Sequence, residues 1–469
     1  MRKIGWIAGL IVAVGATCVL GDEPKPSTRP SDVAATGDQA GPDRAMADRF
    51  ARLKAEHQAK QDAMYEAMEK AKTKRKQDEI YEVMSPDVPY SRRMIELAEI
   101  RIGDPTARDA LIWVINMPGR SDDGEYGDVF AHAAALLVRH HGDDPLAISL
   151  GLQMNLLLSI RRDALLLGFY ASAKGREAKG VSRLALATYL EKKAQSAENA
   201  KKYPDRRKLR QSVVGDDGKP NDTLVDMPDD RFAYEVGLRL CDPALIKAEA
   251  ERLYNEVIAD YGDIPLITVR RREMEAMLKE SASTRGGKPL TEEDRRQIAV
   301  ILARKSTLGS VAEGHLDEMH NLIPGKPAPE IDGVDTDGKP LKLSDHRGKV
   351  VVLVFWGSWC GPCMAAVPHE RELAERLKDR PFAILGVDCN EEKSAGLKTI
   401  ELEKITWRNW NDGSDGDGPI VKRYHIRGYP SVFVIDAQGI IRHTQLSGDG
   451  LDKAVDALLG ELEAKDPKG

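Results

Sequence analysis

Seven apolar residues, Val350-Val351-Val352-Leu353-Val354-Phe355-Trp356, run directly into Gly357-Ser358-Trp359-Cys360-Gly361-Pro362-Cys363. A β-branched run with no polar alternation suits a strand covered on both faces, as in sheets with parallel neighbours. Gly357 and Ser358 permit a turn, and Pro362 suits the first turn of a helix, where a missing N–H costs nothing. The pattern predicts a strand, a turn and a helix, with Cys360 at the helix N-terminus and Cys363 about one turn further in. Unpaired N–H groups and the positive end of the helix dipole stabilise a thiolate there. Other uses of the pair fail on spacing. Haem attachment needs His after the second cysteine, where this chain has Met364, and structural zinc needs two more close ligands. A purely structural disulfide gains little from closing so short a loop. A redox dithiol is the reading that remains.

The 469 residues suggest two or three domains, and a net charge of −6 gives no footprint for nucleic acid. With 31% charged and 5% aromatic residues the composition is solvated and helix-rich, yet four of the six tryptophans (Trp356, Trp359, Trp407, Trp410) fall in the last third. Two parts of different character are expected. Five cysteines (Cys18, Cys241, Cys360, Cys363, Cys389) are too few for a disulfide scaffold.

Arg2 and Lys3 precede an apolar run, Ile4 to Leu20, and then Gly21-Asp22-Glu23-Pro24. This is an export signal. Val19 and Gly21 at the −3 and −1 positions favour cleavage after Gly21, ahead of an uncleaved membrane anchor or a lipoprotein site at Cys18. The chain is therefore expected to work outside the cytoplasm, in the periplasm or cell envelope. Residues 22–42, rich in Pro, Ser, Thr, Gly and Asp, read as a disordered tether. Residues 43–84 read as one long amphipathic helix with a sparse stripe including Phe50, Leu53, His57, Met64 and Met68.

Residues 85–322 read as an all-α helical array. Three helices are expected to start at Asp104-Pro105, Asp144-Pro145 and Asp242-Pro243, with Asp as N-cap and Pro at the first helical position. No fixed repeat aligns, although Tyr126-Gly127-Asp128 and Tyr261-Gly262-Asp263 echo each other. Gly215–Asp222 and Ser281–Pro289 read as exposed loops, and no strand alternation of useful length is visible. His132, His140 and His141 share one predicted helix without carboxylates at matching spacing, so no metal site is assigned.

The Pro/Gly-rich joint Ile323–Pro329 opens a domain over residues 323–466, where the period turns mixed. Strands are expected near Glu330–Val334, Leu341–Leu343, Phe382–Val387, Ser431–Ile435 and Ile440–Leu446. Helices follow to about Leu377, over Ser394–Ile405 and from Leu451 to about Leu462. Asn409–Gly418 is expected as a flexible loop whose ligand spacing fails for calcium. The alternation implies an α/β sheet with helices on both faces.

Trp359-Cys360-Gly361-Pro362-Cys363 after an apolar strand, with Gly428-Tyr429-Pro430 before another, resembles the thioredoxin superfamily. Gly325-Lys326-Pro327-Ala328-Pro329 and Leu343-Ser344-Asp345-His346-Arg347-Gly348-Lys349 are similar to its exported TlpA/ResA-like branch. The resemblance covers the last third. It implies a thioredoxin-like fold, no cofactor, Cys360 as exposed nucleophile, Cys363 as buried resolving thiol and Pro430 as the cis-proline opposite them. It also implies substrate contacts at Trp359, Gly361, Pro362 and Tyr429, and a kink at Pro368. Two departures stand out. Val354 replaces the strand Asp usual in thioredoxins, and Ala366 replaces a Glu found in some of the exported branch. The proton acceptor for Cys363 is left unassigned, with Glu370 or a bound water as substitutes.

Cys389, after a strand end, reads as a buried small residue ahead of a third redox thiol, and Cys241 as core. The function expected is an exported thiol-disulfide oxidoreductase acting on protein thiols or disulfides, with a redox donor or acceptor protein as second partner. Gly-Pro between the cysteines favours the reductase or isomerase direction. The alternative is a helical envelope scaffold whose thioredoxin-like domain mainly docks partners.

Overall fold

A computed structural model describes residues 42–465, apart from 72, 118–123, 154–159, 203–207, 215–219, 227–228, 391, 414–417 and scattered positions between 268 and 305. The export signal and the tether expected over residues 1–41 lie outside the described residues. Among the described residues, no helix is long and apolar enough to cross a membrane. Contacts divide the chain into two units that meet at Ala312 and Glu313.

The first unit is a helical array. Its opening segment is two helices, not the single one expected: α1 (Pro42–Glu69) and α2 (Lys74–Met84). The break is capped by Thr73, whose side chain accepts from Lys76 N at 3.4 Å. Too few apolar residues separate the two for periodicity to reveal the interruption. The stripe on α1 faces inward as read, with Leu53 and Met64 buried and His57 bonded to buried Asp87 of α3 (Asp87–Ile100) at 2.9 Å. Next come α4 (Pro105–Ile115), α5 (Gly124–His141), α6 (Pro145–Gln153), α7 (Ile160–Ser172) and α8 (Arg176–Lys202). The three Asp-Pro starts hold. Asp104, Asp144 and Asp242 accept from the N–H two residues on at 2.7, 2.8 and 3.0 Å, which satisfies a donor the helix leaves free.

Helix α8 is the spine of this unit, with α6, α7, α9 (Asp229–Leu240) and α10 (Pro243–Tyr261) packed against it. Small residues along it, including Ala178, Ala185, Ala187, Ala194 and Ala197, permit close approach from several sides. A buried pair joins it to α7: Lys193 Nζ lies 2.7 Å from Asp163 Oδ2. The Tyr126 and Tyr261 echoes occupy different places, one inside α5 and one at the end of α10, so they do not mark equivalent repeats.

One departure from an all-helical reading is an antiparallel hairpin, β1 (Lys208–Val214) with β2 (Pro220–Asp226), in register from Lys208 with Asp226 to Val214 with Pro220. Part of the expected loop Gly215–Asp222 is thus strand. A second short pairing, β3 (Thr284–Arg285) with β4 (Lys288–Pro289), lies within the other expected loop. Helix α11 (Leu308–Asn321) carries the chain across the unit boundary.

The second unit is built on a five-stranded mixed sheet. It holds β7 (Val350–Trp356), β8 (Phe382–Asp388), β9 (Arg408–Asn411), β10 (Ser431–Ile435) and β11 (Ile441–Thr444) in the order β11-β10-β7-β8-β9. Strands β7, β8 and β9 are parallel, and β10 runs antiparallel to β7 and β11. All seven residues of β7 are buried. The pleat sends Val351, Leu353 and Phe355 to one face and Val350, Val352, Val354 and Trp356 to the other. The second face is covered by α12 (Gly361–Arg376) and the C-terminal α15 (Gly448–Lys465), with Ile400 of α13 (Lys393–Leu402) at its margin. The first face is covered mainly by Leu322, Ala328, Ile331, Leu341 and Leu343, around the small hairpin β5 (Asp332–Val334) with β6 (Pro340–Lys342), and by the short helix α14 (Pro419–Arg423).

The Pro/Gly-rich stretch Ile323–Pro329 is pinned onto the sheet edge. Gly325 N donates to Ile441 O at 2.7 Å, Ile441 N to Lys326 O at 2.8 Å and Ala328 N to Gly439 O at 2.9 Å. The expected loop at Asn409 contains instead the strand β9. Buried Asn409 and Trp410 hold it through side chains: Asn409 Oδ1 accepts from Trp356 Nε1 at 2.9 Å, and Trp410 Nε1 donates to Leu341 O at 3.0 Å.

Candidate active site

The site forms where β7 ends and α12 begins. Cys360 and Cys363 are joined by a disulfide with sulfurs 2.03 Å apart. Cys360 is the N-cap of α12, and its sulfur accepts from Cys363 N at 3.1 Å. Pro362 sits in the first turn, where no N–H is required, and no acidic side chain occupies that turn. A sulfur on the N-cap of a helix with no opposing carboxylate is in the field that favours a thiolate.

Cys360 is only 5% exposed and Cys363 3%, so in this oxidised form the first sulfur is not the exposed group expected. Bonded to its partner, it is drawn into the cluster of Val354, Trp356 and Val367. The accessible face is made by exposed Gly361 and Pro362 and by Trp359, which is 51% exposed. The indole of Trp359 stacks edge-on against Tyr429 with centroids 5.0 Å apart. It also lies so close to Gly357 that a Cβ there would come within 2.6 Å of the ring, so glycine is what allows the tryptophan to fold back. The Tyr429–Pro430 peptide is cis. A Cβ at Gly361 or Gly428 would meet nothing within 4 Å, so the backbone on both sides of the site is open to approach. The structure thus brings Trp359, Cys360, Gly361, Pro362, Cys363, Tyr429 and Pro430 into one neighbourhood. Pro368 lies inside α12.

Two residues of the site, Asn390 and Asp388, were not read from the sequence. Asn390 fixes the turn before the cysteines: its Oδ1 accepts from Ser358 N at 3.1 Å and from Ser358 Oγ at 2.6 Å. Asn390 is held in turn by Asp388 at the end of β8, whose Oδ1 accepts from Asn390 N at 3.0 Å and Nδ2 at 2.5 Å, while Oδ2 accepts from Asn411 Nδ2 at 3.1 Å. Asp388 is fully buried against Gly396 of α13, where a Cβ would collide with its carboxylate. Burial pushes the Asp388 carboxyl above its ordinary range, and these hydrogen bonds oppose the rise. The only sequence signal of Asp388 and Asn390 is position, at the C-terminal end of a strand parallel to β7.

Glu370, named in the sequence as a substitute proton acceptor, lies on the inward face of α12. It is 5% exposed, and burial alone pushes its carboxyl up from the ordinary value to about 7. Cys389 is buried, and burial pushes its thiol up to about 12. Its Sγ donates to Val387 O at 3.4 Å. Such a thiol is protonated at neutral pH, as a core residue would be. Cys241, in the first unit, is likewise buried. Asp412, in the acidic stretch before α14, accepts from Ile420 N and Val421 N at 2.9 and 2.8 Å and so caps that helix.

The AhpC/TSA family model matches residues 324–444. The thiol-disulfide oxidoreductase ResA of Geobacillus thermodenitrificans is 32% identical over 147 residues, which are 31% of this chain and 83% of the relative. ResA of Bacillus cereus is 28% identical over 144 residues, 30% of this chain and 82% of the relative. Among solved structures, the thioredoxin domain of a thiol-disulfide oxidoreductase from Bacteroides vulgatus is 30% identical, with 30% of this chain and 99% of that one covered, at a TM-score of 0.28. Through its C-terminal third the chain belongs to the ResA-like thiol-disulfide oxidoreductases.

Proposed function

We propose that the protein is an exported oxidoreductase that exchanges disulfides with protein substrates, with Cys360 as nucleophile and Cys363 as resolving thiol. The observation that carries this is Cys360 Sγ as the N-cap of α12, accepting from Cys363 N at 3.1 Å with no acid in the first turn. In the reduced protein the Cys360 thiolate attacks a substrate disulfide, and Cys363 then displaces the substrate sulfur from Cys360. Trp359 and Tyr429 form the wall beside the reacting sulfurs, and the open backbone at Gly361 and Gly428 leaves room for an extended peptide. Pro430, preceded by the cis bond, shapes the opposite side.

Export rests on the basic and apolar N-terminal segment, Arg2 to Gly21. The direction favoured is reduction or isomerisation, supported by Gly361-Pro362 between the cysteines and by the thiolate-stabilising helix start. The helical region selects or places the substrate protein. Equilibration of the Cys360/Cys363 couple with redox buffers tests the direction. A potential near that of thioredoxin, about −270 mV, supports a reductase, and one near about −120 mV makes it an oxidant.

A further inference from the structure

The loop that leads to Pro430 begins at the end of α14 with a turn that glycine usually makes. His425 N donates to Lys422 O at 3.2 Å and Ile426 N to Val421 O at 3.0 Å, the paired bonds that close a helix whose next residue is left-handed. His425 is that residue, with φ at 47°. A Cβ is strained in this region, and glycine would enter it freely. The imidazole has a partner that glycine would forfeit: His425 Nε2 lies 2.7 Å from Asp317 Oδ2 on α11. A hydrogen bond from Asn321 and the contact with His425 hold the Asp317 carboxyl below its ordinary range, against the opposing effect of burial. Helix α11 comes close at Gly314, where a Cβ would lie 3.3 Å from His425 Nδ1.

Arg427, two residues on, meets the same helix. Its Nη1 lies 2.9 Å from Glu318 Oε2 and donates to Nδ1 of buried His315 at 3.1 Å. Beyond the cis bond, Ser431 Oγ donates back to Gly428 O at 2.8 Å and accepts from Gln445 Nε2 at 3.3 Å. The loop is thus clamped on both sides of Gly428, with its open backbone, and Tyr429, the wall beside Trp359. The Arg427 and Glu318 side chains are 46% and 41% exposed, and pairs of that kind add little to stability. What they fix is where the loop sits. Residues 313–321 of α11 belong to the second unit and precede residue 324, where the family model begins. One side of the clamp therefore comes from outside the residues matched to the family.

We propose that Asp317 and Glu318 of α11 are positioning residues for exchange with protein substrates, acting through His425 and Arg427 on the loop that receives the substrate chain. This rests on the exchange reading given above. A protein disulfide reaches the sulfurs as part of a chain that must lie along Gly428 and Tyr429. A loop already held in place spares that encounter the cost of ordering it. A small disulfide has no chain to lay there and reacts at the dithiol without this help. The clamp therefore acts on the binding of protein substrates and leaves the chemistry of Cys360 and Cys363 as it is.

The test compares insulin with a small aryl disulfide as substrates of the full chain, with dithiothreitol as reductant. His425→Gly relieves the left-handed backbone and removes the imidazole, so a merely structural histidine would leave a variant at least as stable and as active as wild type. The clamp predicts instead a KM for insulin raised about fivefold or more, with kcat and the rate with the aryl disulfide within about twofold of wild type. Asp317→Ala should do the same. Arg427→Glu should also raise KM, and adding Glu318→Arg should restore it to within about twofold of wild type, since the pair is then re-formed with its charges exchanged. A wild-type KM for insulin in His425→Gly, no recovery in the exchanged pair, or an equal loss with both disulfides overturns the proposal. If the wild type does not reduce insulin at all, the exchange reading itself fails and the proposal with it.

Discussion

Replacing Glu370 by Gln should flatten the pH dependence of stability in the C-terminal unit. The carboxyl is raised from 4.5 in the unfolded chain to about 7 in the fold, with burial as the cause. Between those values the folded state holds a proton that the unfolded state has released. Stability from this group is therefore fully present below pH 4.5, declines as pH rises, and is lost once pH has passed through 7. At about 1.36 kcal/mol for each pH unit between the unfolded and folded values, the total loss is about 3 kcal/mol. Gln keeps the shape but buries an amide without a partner, which costs about 1–3 kcal/mol at every pH. The variant should be less stable than wild type near pH 5 and should overtake it, or close most of the gap, by pH 8. Asp388 and Asp412 are also raised by burial and add the same sign of dependence, but both remain in the variant and cancel in the comparison. Urea unfolding followed by tryptophan fluorescence reads the right unit, since four of the six tryptophans lie there. Parallel curves for the two proteins between pH 5 and 8 would mean that the buried carboxyl does not titrate near neutral pH.

Asn390→Ala removes the acceptor that holds Ser358 N and Oγ and takes from Asp388 the side-chain donor Asn390 Nδ2. Two hydrogen bonds at about 1 kcal/mol each predict roughly a tenfold or greater loss in the rate of mixed-disulfide formation, measured in single turnover with α12 helicity retained. In the helical unit, Lys193→Met strands buried Asp163 and is expected to destabilise by about 3–5 kcal/mol in chemical denaturation. The double change Lys193→Met with Asp163→Leu should recover most of that loss. In the reduced, folded protein at pH 8, Cys389 is expected to resist iodoacetamide while Cys360 is alkylated, as peptide mass mapping would show. Modification of Cys389 at a comparable rate would contradict its burial and raised thiol.

The opening strand and the dithiol helix were legible because their signals are local. Seven apolar residues in a row, a glycine turn and a proline at the first helical turn agree with one another, and the structure gives β7 and α12 at those places. The Asp-Pro helix starts were legible for the same reason. Strand β9 was not. Arg408-Asn409-Trp410-Asn411 alternates no apolar face, and it is held by hydrogen bonds to Trp356 and Leu341, more than 50 residues away. The hairpin of β1 and β2 was hidden because Leu209, Val213 and Val214 on one strand and Leu224 and Val225 on the other sit among polar residues.

At the site, residue types and spacing pointed to Cys360 and Cys363, and the resemblance to the thioredoxin superfamily pointed to Tyr429 and Pro430. Asn390 and Asp388 act through partners 32 and 23 residues distant, a relation that no local pattern encodes. Glu370 is the reverse case. Its helical position was readable, but a charged residue on an apolar stripe is expected to turn outward, and only packing shows that it does not.

Trapping a substrate on a single cysteine puts the role of Cys360 to the test. With Cys363→Ser, reduced protein mixed with insulin, whose chains are joined by disulfides, should accumulate a mixed disulfide at Cys360, identified by mass spectrometry. Cys360→Ser should accumulate none and should reduce no insulin. If Cys360→Ser keeps wild-type reduction, or if the trapped bond in the wild-type context is made by Cys363, the assignment of the nucleophile at the start of α12 is wrong.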